Sequence, residues 1–126
     1  MKMHALIDSS AWIEFLRPDG DTETVGRVEH ALREGSAAWC EMVMLELWNG
    51  AGNEEEQGRL RRLGEVLPVL GTSDEVWDRA RNLAVLMRKS GRTVPPADLL
   101  IYATAEHNDA RLIHKDRHFD WLQSIE

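Results

Sequence analysis

The chain has 126 residues, 43% hydrophobic and 29% charged, with a net charge of −7. This composition suits one folded domain spanning residues 1–126 and argues against disorder, and no apolar run approaches the roughly 20 residues that a membrane helix needs. The acid excess speaks against broad electrostatic adhesion to nucleic acid, which relies on Lys and Arg, unless the acids are gathered to hold cations that then face phosphate.

Residues 3–7 predict a strand that closes on Asp8, without the long apolar region of a signal peptide, so a cytoplasmic location is expected. "SSAWIEFLR" starts a helix with Ser9 or Ser10 as a possible cap, and Pro18, Asp19 and Gly20 make a turn. Residues 21–35 predict a helix ending at Gly35, and 36–40 a short strand. Residues 41–51 predict a largely buried helix closed by Asn49 and Gly50. Residues 53–67 are amphipathic, acidic first and basic later, which matches the helix dipole; 68–71 suggest another short strand. The clearest helix covers 73–91, with Ser73 or Asp74 as cap and Gly91 past the end. Its apolar stripe is Val76, Trp77, Ala80, Leu83, Ala84 and Met87. Residues 93–108 enter a helix through a proline pair, 110–114 predict a strand, and 116–123 the last helix. Strands alternating with helices indicate an α/β domain with a mostly parallel central sheet. Cys40, among apolar neighbours, is expected to be a buried structural thiol, and no Cys/His cluster suggests zinc.

Four acids stand in apolar company. Asp8 follows "ALI", Glu46 lies inside "MVMLELWNG", Asp98 opens the apolar "PPADLLIYATA", and Asp116 follows "RLIHK". Carboxylates are rarely buried unless they are paired or bind a metal. Asp8, Asp98 and Asp116 could each cap a helix, but Glu46 in mid-helix could not. A hard divalent cation with oxygen ligands would explain all four together, with Asp8 and Asp116 side by side at the sheet edge and Glu46 and Asp98 pointing in from helices.

At these residues the sequence resembles a PIN domain of the VapC type, the toxin half of a bacterial or archaeal toxin–antitoxin pair. The resemblance spans the chain through "LIDSSAWIEFL", "LELWNGA", "PPADLLIYATA" and "ARLIHKDRHFDWL", in the family's order. It implies a three-layer α/β/α domain and an endoribonuclease dependent on Mg²⁺ or Mn²⁺, with Asp8, Glu46, Asp98 and Asp116 as catalytic and metal-binding residues. Ser10 matches a small hydroxyl position that helps hold a metal water or phosphate. The resemblance also implies a homodimer, and inhibition by a cognate antitoxin lying over a groove near the acids, for which Trp12 and Trp48 on the N-terminal helices would be suitable.

One position departs from the family pattern. His114 stands where Thr or Ser is usual, either packing at the strand end or contacting phosphate. His4, His30, His107 and His118 receive no role. Arg17, Arg88, Lys89, Arg92, Lys115 and Arg117 flank the motifs as candidate RNA contacts, with ordinary surface roles the simpler expectation. Phe15, Trp77 and Phe119, with the two tryptophans above, fit core or dimer packing better than base stacking. A haloacid-dehalogenase-like phosphatase would need a second aspartate where Ser10 stands, and a receiver domain would need a phosphoacceptor that "GSAAWC" does not offer. A non-catalytic PIN domain that binds RNA or protein is the remaining alternative.

Overall fold

The computed structural model describes residues 3–125. Its strands are β1 (Ala5–Ile7), β2 (Ala37–Cys40), β3 (Val69–Leu70) and β4 (Arg111–Ile113). Its helices are α1 (Ser9–Leu16), α2 (Thr22–Glu34), α3 (Glu41–Gly50), α4 (Glu54–Val66), α5 (Asp74–Lys89), α6 (Pro96–His107) and α7 (Arg117–Ser124). Every strand pairing is parallel, in the order β3-β2-β1-β4, with Leu6 opposite Ala38 on one side and Leu112 on the other. Ala5, Leu6 and Ile7 are all 0% exposed. Successive strand residues point to opposite faces, so both faces of the sheet are covered, which gives the expected α/β/α layering.

The chain leaves β1, steps outward through β2 and β3, and returns to the other flank of β1 as β4. The strand order therefore reverses between β1 and β4. Open α/β sheets bind ligands in the crevice outside the carboxyl ends at such a point. Asp8 follows β1 and Asp116 follows β4, and the Asp8 backbone N–H donates to the Ile113 carbonyl at 2.9 Å.

Local signals explain the helix ends, with corrections. Gly35 and Gly91 close α2 and α5 at φ 76° and 83°, a left-handed backbone that glycine adopts without strain. The cap of α1 is Asp8 rather than either serine: its Oδ2 accepts from the Ser10 backbone N–H at 2.9 Å. Gly20 must be small, because a Cβ there would fall on the Glu14 carbonyl oxygen. The buried Glu14 carboxylate holds the same turn by accepting from Asp21 N at 2.8 Å and Arg17 at 3.0 Å.

The buried stripe of α5 is narrower than its apolar stripe. Val76, Ala80, Leu83 and Met87 are buried, while Trp77 and Ala84 are exposed. Trp12 lies in the core and not at a groove; its ring meets Trp39 and Phe15 edge-on at centroid distances of 6.4 and 5.8 Å. Phe119 is likewise buried. Cys40 is buried, and burial pushes its thiol up, as an inert structural cysteine requires.

Candidate functional site

Asp8 is 2% exposed, and its two carboxylate oxygens differ. Oδ2 caps α1, whereas Oδ1 is buried and makes no hydrogen bond among the described residues. Burial raises the Asp8 carboxyl above the ordinary carboxylate range and the Asp116 charge adds to this, against hydrogen bonds from Ser10 and Ser9. A buried carboxylate oxygen without a partner is costly in isolation and suits a position that faces a cation.

The other three acids approach from separate elements. Asp98 lies in the first turn of α6, where the proline pair starts the helix, and is 8% exposed. Asp116 caps α7, accepting from the His118 backbone N–H at 2.9 Å. Glu46 projects from α3 and is half-buried, and its Oε1 accepts from the Ser9 hydroxyl at 3.0 Å. Leu45 and Trp48 beside it are exposed, so this stretch of α3 is less enclosed than its apolar composition implies.

The four carboxylates share one electrostatic neighbourhood. Burial and then the Asp116 charge push Asp98 up to about 6, with the Asp8 charge adding and His118 opposing. Burial raises Glu46 too, with Asp8 and Asp116 contributing. Buried like charges of this kind cost stability until an opposite charge joins them. The donors are hard carboxylate oxygens, which suits a divalent cation such as Mg²⁺ or Mn²⁺.

His118, assigned no role from its sequence position, lies inside this cluster. Its Nδ1 is 2.9 Å from Asp98 Oδ2 and 3.0 Å from Asp116 Oδ1. One ligand atom from each of Asp98, Asp116 and His118 lies within 4.8 Å of the others. Ionised carboxylates only accept, so the imidazole serves the pair by donating from Nδ1. The available signal was its place two residues after the strand-end Asp116. Ser9 was also missed as a partner of Glu46; only the fold joins residues 37 apart.

Ser10 and His114 brace the site. The Ser10 hydroxyl accepts from the Lys115 backbone N–H at 2.9 Å, tying the start of α1 to the loop that carries Asp116. His114 Nδ1 accepts from the Asp116 backbone N–H at 3.2 Å, and its ring packs on Phe119 with centroids 5.0 Å apart. Burial lowers the His114 pKa, favouring the neutral ring that accepts this bond. The packing role is the one the geometry supports.

The raised Asp98 gives stability a signed pH dependence. A carboxyl that titrates near 6 in the fold and near 3.8 when unperturbed binds protons more readily folded than unfolded. Its contribution is full below the unfolded value and lost as pH rises through the folded one. The melting temperature of cation-free protein should fall from about pH 5 to pH 7, and Mn²⁺ should raise it more at neutral than at acid pH. Calorimetry at fixed ionic strength with and without Mn²⁺ checks both slopes; an equal metal increment at both pH values would exclude ionised Asp98 from the cation's ligands.

Residues 5–123 match the family model described as the PIN domain. The curated VapC ribonuclease Mb1587 of Mycobacterium bovis is 36% identical over 124 residues, which cover 95% of this chain and 92% of that protein. Among solved structures, a chain of VapBC2 from Rickettsia felis, bound to a DNA fragment from their promoter, is similar at TM-score 0.79 and 18% identity, covering 94% of this chain and 92% of that one. A chain of FitAcB from Neisseria gonorrhoeae is similar at TM-score 0.78 and 19% identity, covering 95% and 93%. At these identities the structural likeness is one of fold.

Proposed function

Because the chain belongs to the PIN-domain family, among its VapC ribonucleases, we propose that it is the toxin of a toxin–antitoxin pair and hydrolyses RNA phosphodiester bonds. In this reading Asp8, Glu46, Asp98 and Asp116 hold the divalent cation, Mg²⁺ or Mn²⁺. The observation that carries the reading is the gathering of four carboxylates at the sheet's switch point, around a buried Asp8 oxygen without a partner. When bound, such a cation supplies acidification of a water and neutralisation of charge on the phosphodiester. The protein's part is positional: Ser9 orients Glu46, His118 sets the spacing of Asp98 and Asp116, and Ser10 and His114 fix the loop between β4 and α7.

Two partner surfaces fit the same reading. An apolar groove of about 320 Å³ runs beside Glu46 between α1, α3 and α4, lined by Ile13, Leu16, Leu47 and Leu60, with Arg17 and Arg59 at hand. It suits an antitoxin segment that would cover the acidic site, and one of the neighbouring structures named above is VapBC2 bound to a DNA fragment from their promoter. Helix α5 leaves Trp77, Val85 and Leu86 exposed, a strip suited to a second copy in a homodimer. No helix among the described residues is long and apolar enough to cross a membrane, and an RNA substrate is compatible with the cytoplasmic location proposed for this chain.

The test is cleavage of a labelled RNA pool by folded, antitoxin-free protein with Mg²⁺, Mn²⁺ or EDTA, beside Asp98→Asn. Cutting is expected with metal only, and not from the variant. RNA binding without cutting under either metal would instead favour a non-catalytic module.

A further inference from the structure

Trp121 carries two guanidiniums. The Arg92 Cζ lies 5.1 Å from the centroid of its ring and the Arg117 Cζ 5.5 Å. Both arginines are exposed, and neither has an ion-pair partner among the described residues. Arg17, Arg59, Arg61, Arg79, Arg81 and Arg111 pair with carboxylates, and what sets Arg92 and Arg117 apart from the other arginines is that both sit over one aromatic ring. A guanidinium held over an aromatic face is fixed in place while its N–H edge stays free for an outside acceptor.

The assembly adjoins the carboxylate site. The Trp121 ring meets His118 edge-on at 5.2 Å, and His118 contacts Asp98 and Asp116. Arg117 directly follows Asp116 and helps line an open polar hollow of about 500 Å³ with Arg27, Lys115 and Asp116. Arg92 stands in the segment leading from α5 to the helix that carries Asp98. The two cations thus bracket both acids along the chain, on residues separate from the apolar groove beside Glu46.

We propose that Arg92 and Arg117, fixed on Trp121, form a subsite that grips the backbone phosphates of single-stranded RNA beside the carboxylates; this rests on RNA being the substrate. Phosphate oxygens match the guanidinium fork geometrically, and two free forks near an acidic centre offset its repulsion of the strand. Trp121 is a positioning residue, and the arginines make the contact.

The experiment measures the affinity of a fluorescein-labelled single-stranded RNA for the full chain in EDTA across a salt series, with the RNA checked intact by gel. Cleavage kinetics with Mn²⁺ run in parallel. Arg92→Gln with Arg117→Gln is expected to weaken binding about tenfold and to lower the salt slope by about 1.4, since each single-strand phosphate contact contributes about 0.7. Trp121→Leu should weaken binding severalfold although both arginines remain, and Trp121→Phe should restore it. In cleavage the arginine pair should raise KM and leave kcat nearly unchanged. Unchanged affinity and slope overturn the subsite even if the wild type cuts RNA. Impaired antitoxin binding with RNA binding intact assigns the fork to the protein partner and also overturns it. A wild type that binds through the fork yet cuts with neither metal keeps the subsite and removes the nuclease reading.

Discussion

Asp8→Asn is expected to abolish metal-dependent RNA cleavage and, at the same time, to raise the melting temperature of the cation-free protein. The two effects have one cause. Asp8 is 2% exposed, one carboxylate oxygen makes no hydrogen bond among the described residues, and burial already raises its pKa, so holding it ionised costs the fold free energy. Asparagine keeps the volume and the acceptor that caps α1, and it removes one of the negative charges that act on Glu46 and Asp98. Relief of even about 1 kcal/mol corresponds to a gain of roughly 3 °C in a domain of this size. Loss of cation-derived charge stabilisation, several kcal/mol at tenfold per 1.4 kcal/mol, corresponds to at least about a thousandfold in rate. Calorimetry with and without Mn²⁺ separates the effects: the variant should start higher and gain nothing from the metal. A variant that melts lower without cation, or that still responds to Mn²⁺, would remove Asp8 from the proposed ligand set.

Trp12→Ala is expected to cost about 4 kcal/mol of unfolding free energy, a large share of the 5–15 kcal/mol typical of a domain. Trp12 is 0% exposed and joins α1 to the sheet through Trp39 of β2, and Phe15 of its own helix also meets its ring edge-on. Truncation leaves a cavity under the helix that Asp8 caps, so the site should loosen with the core. Trp12→Phe should cost far less, because it retains a ring and removes a buried indole N–H that has no hydrogen-bond partner among the described residues. Urea unfolding at constant slope gives both values. A loss under about 1 kcal/mol for the alanine variant would mean that α1 is held mainly by other contacts.

What the sequence disclosed depended on how local each cause was. Asp8 and Asp116 were legible because a short apolar run ending on an acid is a strand-end signature, and Gly35 and Gly91 because helix closure needs one residue with the right backbone freedom. Glu46 and Asp98 showed as charges in apolar surroundings. Trp12 fitted both the core and a groove in the sequence, and the core holds it, because an eight-residue helix completes too few turns to reveal which side meets the core. Trp77 and Ala84 extended the α5 stripe beyond what the core covers, since apolar composition does not fix where packing stops. Ser9 with Glu46, and His118 with Asp98, meet only through the tertiary fold, at separations of 37 and 20 residues. No local pattern reports such pairs.

The strand order also governs when the site can exist. Strand β4 is the last to be synthesised yet sits directly against β1, the first, and the Ser10–Lys115 hydrogen bond closes a span of 105 residues. Ribosomal synthesis makes Asp8, Glu46 and Asp98 long before there is a strand to seat Asp116 beside them. A chain arrested before residue 111 has three of the four acids and no completed crevice. The four carboxylates therefore come together only once the chain has been made past β4 and Asp116.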